Sequence, residues 1–204
     1  MNDLEIRQNF HKTKLRRQHA QADTLVIDEL GLNHGQNRAD IAVINGSFIG
    51  YEIKSNNDSL LRLENQIKSY NSIFDKTYIV AGDRHINTIH KYLPSWWGII
   101  EAVKNAKIAI SFKVIRKARK NLSTQPICIA RLLWRDEAID ILKKKKLPSR
   151  VLRQPRAILY KYVIDSLGAC ELHKTVRSYL KKRNNWRCPT QPSLDGGLSQ
   201  PVSR

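Results

Sequence analysis

The sequence predicts an α/β protein: a mixed sheet flanked by helices over residues 1–115, then a small basic α-helical region over 116–187. Three observations predict it. Runs of β-branched residues alternate with helical periodicity through the first half. The stretch "RADIAVINGSFIGYEIKS" reads as a β-hairpin turning at Asn45-Gly46. Beyond residue 125 the strand pattern stops and three apolar stripes of helical spacing follow.

Asn2 or Asp3 can cap a first helix reaching about His19, with a thin apolar face of Leu4, Ile6, Phe10 and Leu15. Residues 24–30 form a strand and residues 31–37, with two glycines and two asparagines, a loop. Residues 38–44 and 47–55 are the hairpin strands. The cap-rich run 56–59 opens a helix whose apolar residues Leu60, Leu63, Ile67, Tyr70 and Phe74 are spaced 3, 4, 3 and 4 apart. A strand at 77–81, a short helix stopped by Pro94, and strands at 97–102 and 108–115 complete the sheet region. The last of these alternates like a half-buried edge strand.

Residues 116–125 form a basic linker. Ala130, Leu133, Trp134, Ala138, Ile141 and Leu142 make one helical stripe. Leu159, Tyr162, Val163 and Leu167 make a second, ended by Gly168, and Leu172, Val176, Tyr179 and Leu180 a third. Residues 188–204 have the composition of a disordered tail.

Charge divides the chain more sharply than hydropathy does. Residues 1–102 carry 12 basic and 12 acidic side chains, whereas 103–187 carry 23 and 5, so the whole net charge of +18 lies there. Such segregation points to a polyanion, above all nucleic acid and first of all DNA, as partner. An anionic membrane surface competes, but no amphipathic anchor or lipidation motif accompanies the charge. With no long apolar run and no signal-like N-terminus, the expected compartment is the cytoplasm. Cys128, Cys170 and Cys188 fit neither a disulfide framework nor a zinc spacing. The cations singled out for nucleic acid are Lys143, Lys144, Lys145, Lys146, Arg150, Arg153 and Arg156. One or two of the four lysines can be explained as a helix C-terminus favouring cations.

The chemistry-bearing residues gather on the hairpin. Glu52 and Lys54 are two apart on a strand and share a face, with Ile53 turned behind them. Asp40 opens the partner strand, and Glu29 ends the strand before it. Gln66 and Tyr70 sit one helical turn apart. A two-residue turn would pair Asp40 with Tyr51 and point the two acids apart, so a shared site requires a three-residue turn at residues 45–47 or a bulge near Gly50. The bland alternatives are a surface pair of Glu52 with Lys54, Asp40 paired to Arg38, a solvated Glu29 beside Asp28, and packing roles for Gln66 and Tyr70. His85, Asn87 and His90 lack the ββα frame of an HNH site, and His34 reads as a loop residue. Trp96, Trp97, Trp134 and Trp186 read as core or interface aromatics, with Trp186 able to stack on a base.

This arrangement resembles the PD-(D/E)XK, restriction-endonuclease-like phosphodiesterase superfamily over residues 1–115. The order helix, strand, Asp-bearing strand, Glu-x-Lys strand, helix, strand matches that core. Gln66-x-x-x-Tyr70 looks like the added motif of its RecB-type members. The chain also resembles small standalone bacterial and phage proteins with a Trp-Arg-rich helical end, here "LLWRDEA" and "NNWR". Ala39 stands where the superfamily often has proline. The resemblance implies a deoxyribonuclease using Mg²⁺ or Mn²⁺. Asp40, Glu52, the Ile53 carbonyl and Glu29 would be ligands, Lys54 would steady developing charge, and Gln66 and Tyr70 would orient Lys54 or a phosphate. Two alternatives keep the fold without self-sufficient cleavage: a nucleic-acid-binding module, and a subunit dependent on a partner protein. A homodimer is left open.

Overall fold

The computed structural model describes residues 1–105, 110–184 and 186. Strands β1 (Leu25–Leu32), β2 (Asn37–Ile44), β3 (Phe48–Lys54), β4 (Lys76–Gly82), β5 (Gly98–Lys104) and β6 (Ile110–Arg116) form one sheet in sequence order. β1, β2 and β3 pair antiparallel, β3, β4 and β5 parallel, and β5 and β6 antiparallel. The parallel pairs exist because helices α3 (Leu63–Asn71) and α4 (Asp83–Ile89) make the crossovers that parallel neighbours need. The sheet is therefore mixed and helix-flanked, as the sequence predicts.

Strand alternation splits the apolar residues between two faces. Ile41, Val43, Tyr51, Ile53, Val80 and Ile100 face α1 (Asp3–Thr13), which contributes Ile6 and Phe10. Ile27, Ala42, Ile44, Phe48, Ile79 and Ile99 face α3, α4 and the C-terminal helices in one continuous cluster reaching Leu180. The capping box of Asn2 and Glu5 starts α1 as expected. That helix stops at Thr13, and a separate turn, α2 (Arg16–His19), follows.

The β2–β3 turn is the detail on which the site depends. Ile41 pairs with Tyr51 and Ile44 with Phe48, leaving residues 45–47 as a three-residue turn. Asn45 N–H donates to Ser47 O, and Asn45 Oδ1 accepts from Ser47 N–H at 3.1 Å. One step past the Ile41–Tyr51 pair, Asp40 and Glu52 fall on the same face, as the parity argument requires.

The C-terminal part departs from its stripes in one place. Residues 130–142 are two helices, α5 (Pro126–Ala130) and α6 (Arg135–Lys144). Trp134 is the N-cap of α6, half-exposed, rather than a core position. Helical spacing across residues 130–134 is also satisfied by two short helices meeting at a corner, so periodicity could not separate the cases. After α7 (Ser149–Leu152), the second and third stripes are, as the sequence predicts, two helices; they meet at a kink at Gly168, with φ 68 and ψ 171, within the span Arg156–Lys182, together labelled α8. Only glycine adopts that backbone without strain.

The linker is not idle. Asn121 donates to the carbonyls of Asn71 and Phe74 at 2.7 and 2.9 Å, and Gln125 N–H to Ser72 O at 2.8 Å. Among the described residues no helix is long and apolar enough to cross a membrane. Cys128 is buried and Cys170 exposed, both free. Cys188, the tail at 188–204 and the expected start of a strand at Ile108 lie outside the described residues.

Candidate functional site

The carboxyl end of β3 places Glu52 and Lys54 under α3. Glu52 is fully buried and Lys54 nearly so. Lys54 Nζ donates to Glu52 Oε1 at 2.6 Å and to Gln66 Oε1 at 2.9 Å. Gln66 reaches the pair because α3 crosses that end of the sheet. Tyr70, one turn further and fully buried, receives the Asp40 N–H on its hydroxyl at 3.1 Å and donates to Tyr51 O at 3.2 Å. Tyr70 thus holds β2 to β3 where their ladder ends.

Asp40 Oδ2 accepts the Ile53 N–H at 2.7 Å. Its other oxygen faces Arg7 Nη2 at 3.5 Å, while Arg7 Nη1 donates to Asp40 O at 2.7 Å. Burial, and next the charge of Glu52, raise the Asp40 pKa to about 8. Burial raises Glu52 as well, opposed by Lys54. Tyr70 is pushed well above its ordinary value by burial and then by the two carboxyls. The cluster therefore sets the Glu52–Lys54 pair beside a second carboxyl, Asp40, whose burial and carboxylate neighbour favour its protonated form.

Glu29 lies opposite Asp40 on β1 with φ 57, a left-handed backbone unusual for a glutamate inside a strand. It is paired to Arg7 at 3.0 Å and to Arg38 at 3.8 Å. Arg38 thus serves Glu29 rather than Asp40, and Asp28 bonds His11 at 2.9 Å. A cleft of about 440 Å³ opens over the cluster, lined in part by Glu29, Arg38, Asp40, Arg62, Asn65 and Gln66. The structure thus brings Asp40, Glu52, Lys54, Gln66 and Tyr70 together, with Glu29 at the rim. Ile53 contributes its N–H to Asp40 and stays in the β3–β4 ladder opposite Val80. Arg7 is the site residue that sequence reasoning missed. Its only local signal was a position four residues after Asp3, which it also pairs at 3.2 Å.

The seven predicted nucleic-acid contacts occupy one corner, the run from the end of α6 through α7 to the start of α8. Lys144 is committed to Asp140 at 2.6 Å and to the Tyr179 hydroxyl, and Lys145 to Glu171 at 2.9 Å. Lys143, Lys146, Arg150, Arg153 and Arg156 are exposed and form no ion pair among the described residues. One face of Trp186 is taken by an arginine. Its ring and that of Trp134 flank the Arg183 guanidinium at 5.0 and 4.2 Å, and Arg183 also pairs with Glu137.

A family described as bacteriophage P4 protein cII matches residues 4–188. The chain belongs to that family. Protein cII of Enterobacteria phage P4 is 32% identical over 123 residues, covering 60% of this chain and 46% of that protein. The chain thus spans about half the length of that curated relative. No solved structure matches.

Membership of the P4 cII family overturns the PD-(D/E)XK resemblance and, with it, the reading as a deoxyribonuclease. Neither the family description nor the relative's name carries nuclease, hydrolase or metal-binding activity. The described residues also contain no group of three or more His, Cys, Asp and Glu side chains placed to hold a metal ion. Each side chain expected to be a ligand has a protein partner: Glu52 Oε1 pairs with Lys54, Asp40 Oδ2 with the Ile53 N–H, and Glu29 with Arg7, while Glu52 Oε2 is buried without a hydrogen-bond partner among the described residues. An acid-acid-lysine set on a hairpin serves equally as a buried polar clamp joining β2, β3 and α3. Sequence spacing alone does not tell the two apart.

Proposed function

We propose that this protein binds nucleic acid through the basic corner formed by α6, α7 and α8. The observation that carries the reading is the segregation of charge: residues 1–102 sum to zero, whereas the helical residues 126–187 hold 16 basic and 5 acidic side chains, an excess of 11. Five cations of that corner have no acidic partner among the described residues. Unneutralised lysines and arginines on a rigid helical platform are what a phosphate backbone engages, by releasing its condensed counterions.

The test uses the full chain and fluorescein-labelled single-stranded DNA, duplex DNA and RNA, read by anisotropy. One variant replaces Lys143, Lys146, Arg150 and Arg153 with glutamine. A control makes the same charge change at Lys12, Lys14, Arg16 and Arg17, which lie on the opposite side of the sheet with α1 and α2 and are also exposed. The corner variant is expected to lose most of its affinity while the control keeps it. Equal affinity in all three proteins, or no binding by the wild type at low salt, contradicts the proposal.

A further inference from the structure

A second cleft, of about 280 Å³, lies between the turn after β1 and the C-terminal helices. Its lining includes His34, Arg131, Arg156, Arg183, Trp134 and Trp186, and no carboxylate among the described residues. The two clefts meet at Gly35, which lines both. Arg156 is at once the first residue of α8, the last cation of the basic corner and a wall of this cleft. The corner therefore leads directly into it.

The three arginines are not equivalent. Arg183 is committed to Glu137 at 2.7 Å and to Leu132 O at 2.8 Å, and is held between the two indoles. Arg131 and Arg156 have no acidic partner among the described residues. His34 stacks on Tyr160, with ring centroids 5.7 Å apart and 19° between planes, and its backbone has φ 60. A non-glycine residue there is held in an uncommon conformation that sets its ring at the cleft. Burial, then Arg156 and Arg131, hold the His34 pKa below its ordinary value. The imidazole thus registers the positive field of both arginines. Two guanidinium groups without an acidic partner, an imidazole and an aromatic rim match a nucleotide, with its phosphate on the arginines and its base against the rings.

We propose that this cleft is a nucleotide subsite, binding one phosphate on Arg131 and Arg156 beside His34. The inference rests on the nucleic-acid reading above, in that the nucleotide belongs to the strand gripped by the corner. A free nucleoside monophosphate offers the same chemistry.

The test compares the full-length wild type with Arg131→Gln/Arg156→Gln. A labelled single-stranded oligonucleotide, adenosine monophosphate and phosphate-free adenosine are the probes, read by anisotropy and by the His34 imidazole proton in NMR spectra. The double variant is expected to bind the oligonucleotide roughly tenfold or more weakly, as loss of charge-assisted bonds requires. The His34 signal shifts on oligonucleotide binding in the wild type and not in the variant. If the double variant binds as tightly as the wild type while the corner variant is weakened, the subsite is overturned and the nucleic-acid reading stands. If the wild type binds no oligonucleotide, that reading falls. The subsite then survives only if adenosine monophosphate, and not adenosine, moves the His34 signal, and is overturned if neither does.

Discussion

Asp40 is a residue whose state the surroundings change strongly. Its pKa, raised to about 8 by burial and by Glu52, stands far above the roughly 3.9 of an unfolded aspartate. A carboxyl raised on folding contributes stability that is fully present below its unfolded pKa and lost as pH rises through the folded one. Asp40→Asn keeps an acceptor for the Ile53 N–H and cannot ionise. The variant should therefore melt higher than the wild type, by a margin growing from about pH 4 to about pH 8 and then level. At this size each kcal/mol is about 2–4 °C in Tm. The depressed His19, His34 and His173 work in the opposite sense, but they are common to both proteins and cancel in the difference. A Tm difference that does not vary with pH would show that Asp40 ionises normally in the fold. Lys54 gives a second expectation. Lys54→Met leaves Glu52 buried without its cation, at a cost of about 3–5 kcal/mol. Adding Glu52→Gln should restore most of it in urea titrations, and a double variant as weak as the single one denies that the pair is the reason.

At the scale of elements, two backbone positions with positive φ mark where helices end or break. α6 ends with Lys146 at φ 58, where its N–H donates to Lys143 O and the Leu147 N–H to Leu142 O. This is the Schellman ending that glycine usually fills. Lys146→Gly should thus stabilise the protein by about 0.5–1 kcal/mol. Gly168→Ala should destabilise it by roughly 1–3 kcal/mol, since alanine resists φ 68 with ψ 171. Chemical denaturation of both reads the signs, and opposite signs would mean that neither conformation is as described. These positions also show what was legible in the chain. Gly168 was read as a helix end, and the helix does end there: a second one starts beyond the kink. The β2–β3 turn was legible from parity alone, because two acids on one face leave only a three-residue turn or a bulge. The corner at Trp134 was not, since apolar spacing runs unbroken across it. Nor was Arg7, which meets Asp40 and Glu29 only once α1 is laid across the sheet. Motif spacing brought Asp40, Glu52, Lys54, Gln66 and Tyr70 to one place correctly, yet said nothing of what that place does.

At the scale of the whole molecule, a sheet layer of nearly balanced charge supports a strongly basic helical one. The two share a continuous apolar cluster, and cross-links such as Lys181 to Asp23 at 2.7 Å fix one against the other. The basic corner is thus presented rigidly, with little ordering cost on binding. A corner that binds a phosphate backbone releases counterions on binding, so its affinity depends on salt. Affinity of the full chain for duplex DNA, measured from low to moderate salt, should fall linearly in log–log form. The slope should shrink by about 0.9 for each phosphate contact removed. Replacing Lys143, Lys146, Arg150 and Arg153 with glutamine should flatten it by the contacts those four make. Replacing Lys144 and Lys145, already held by Asp140 and Glu171, should change it far less. A wild-type slope retained by the first variant would contradict binding through this corner.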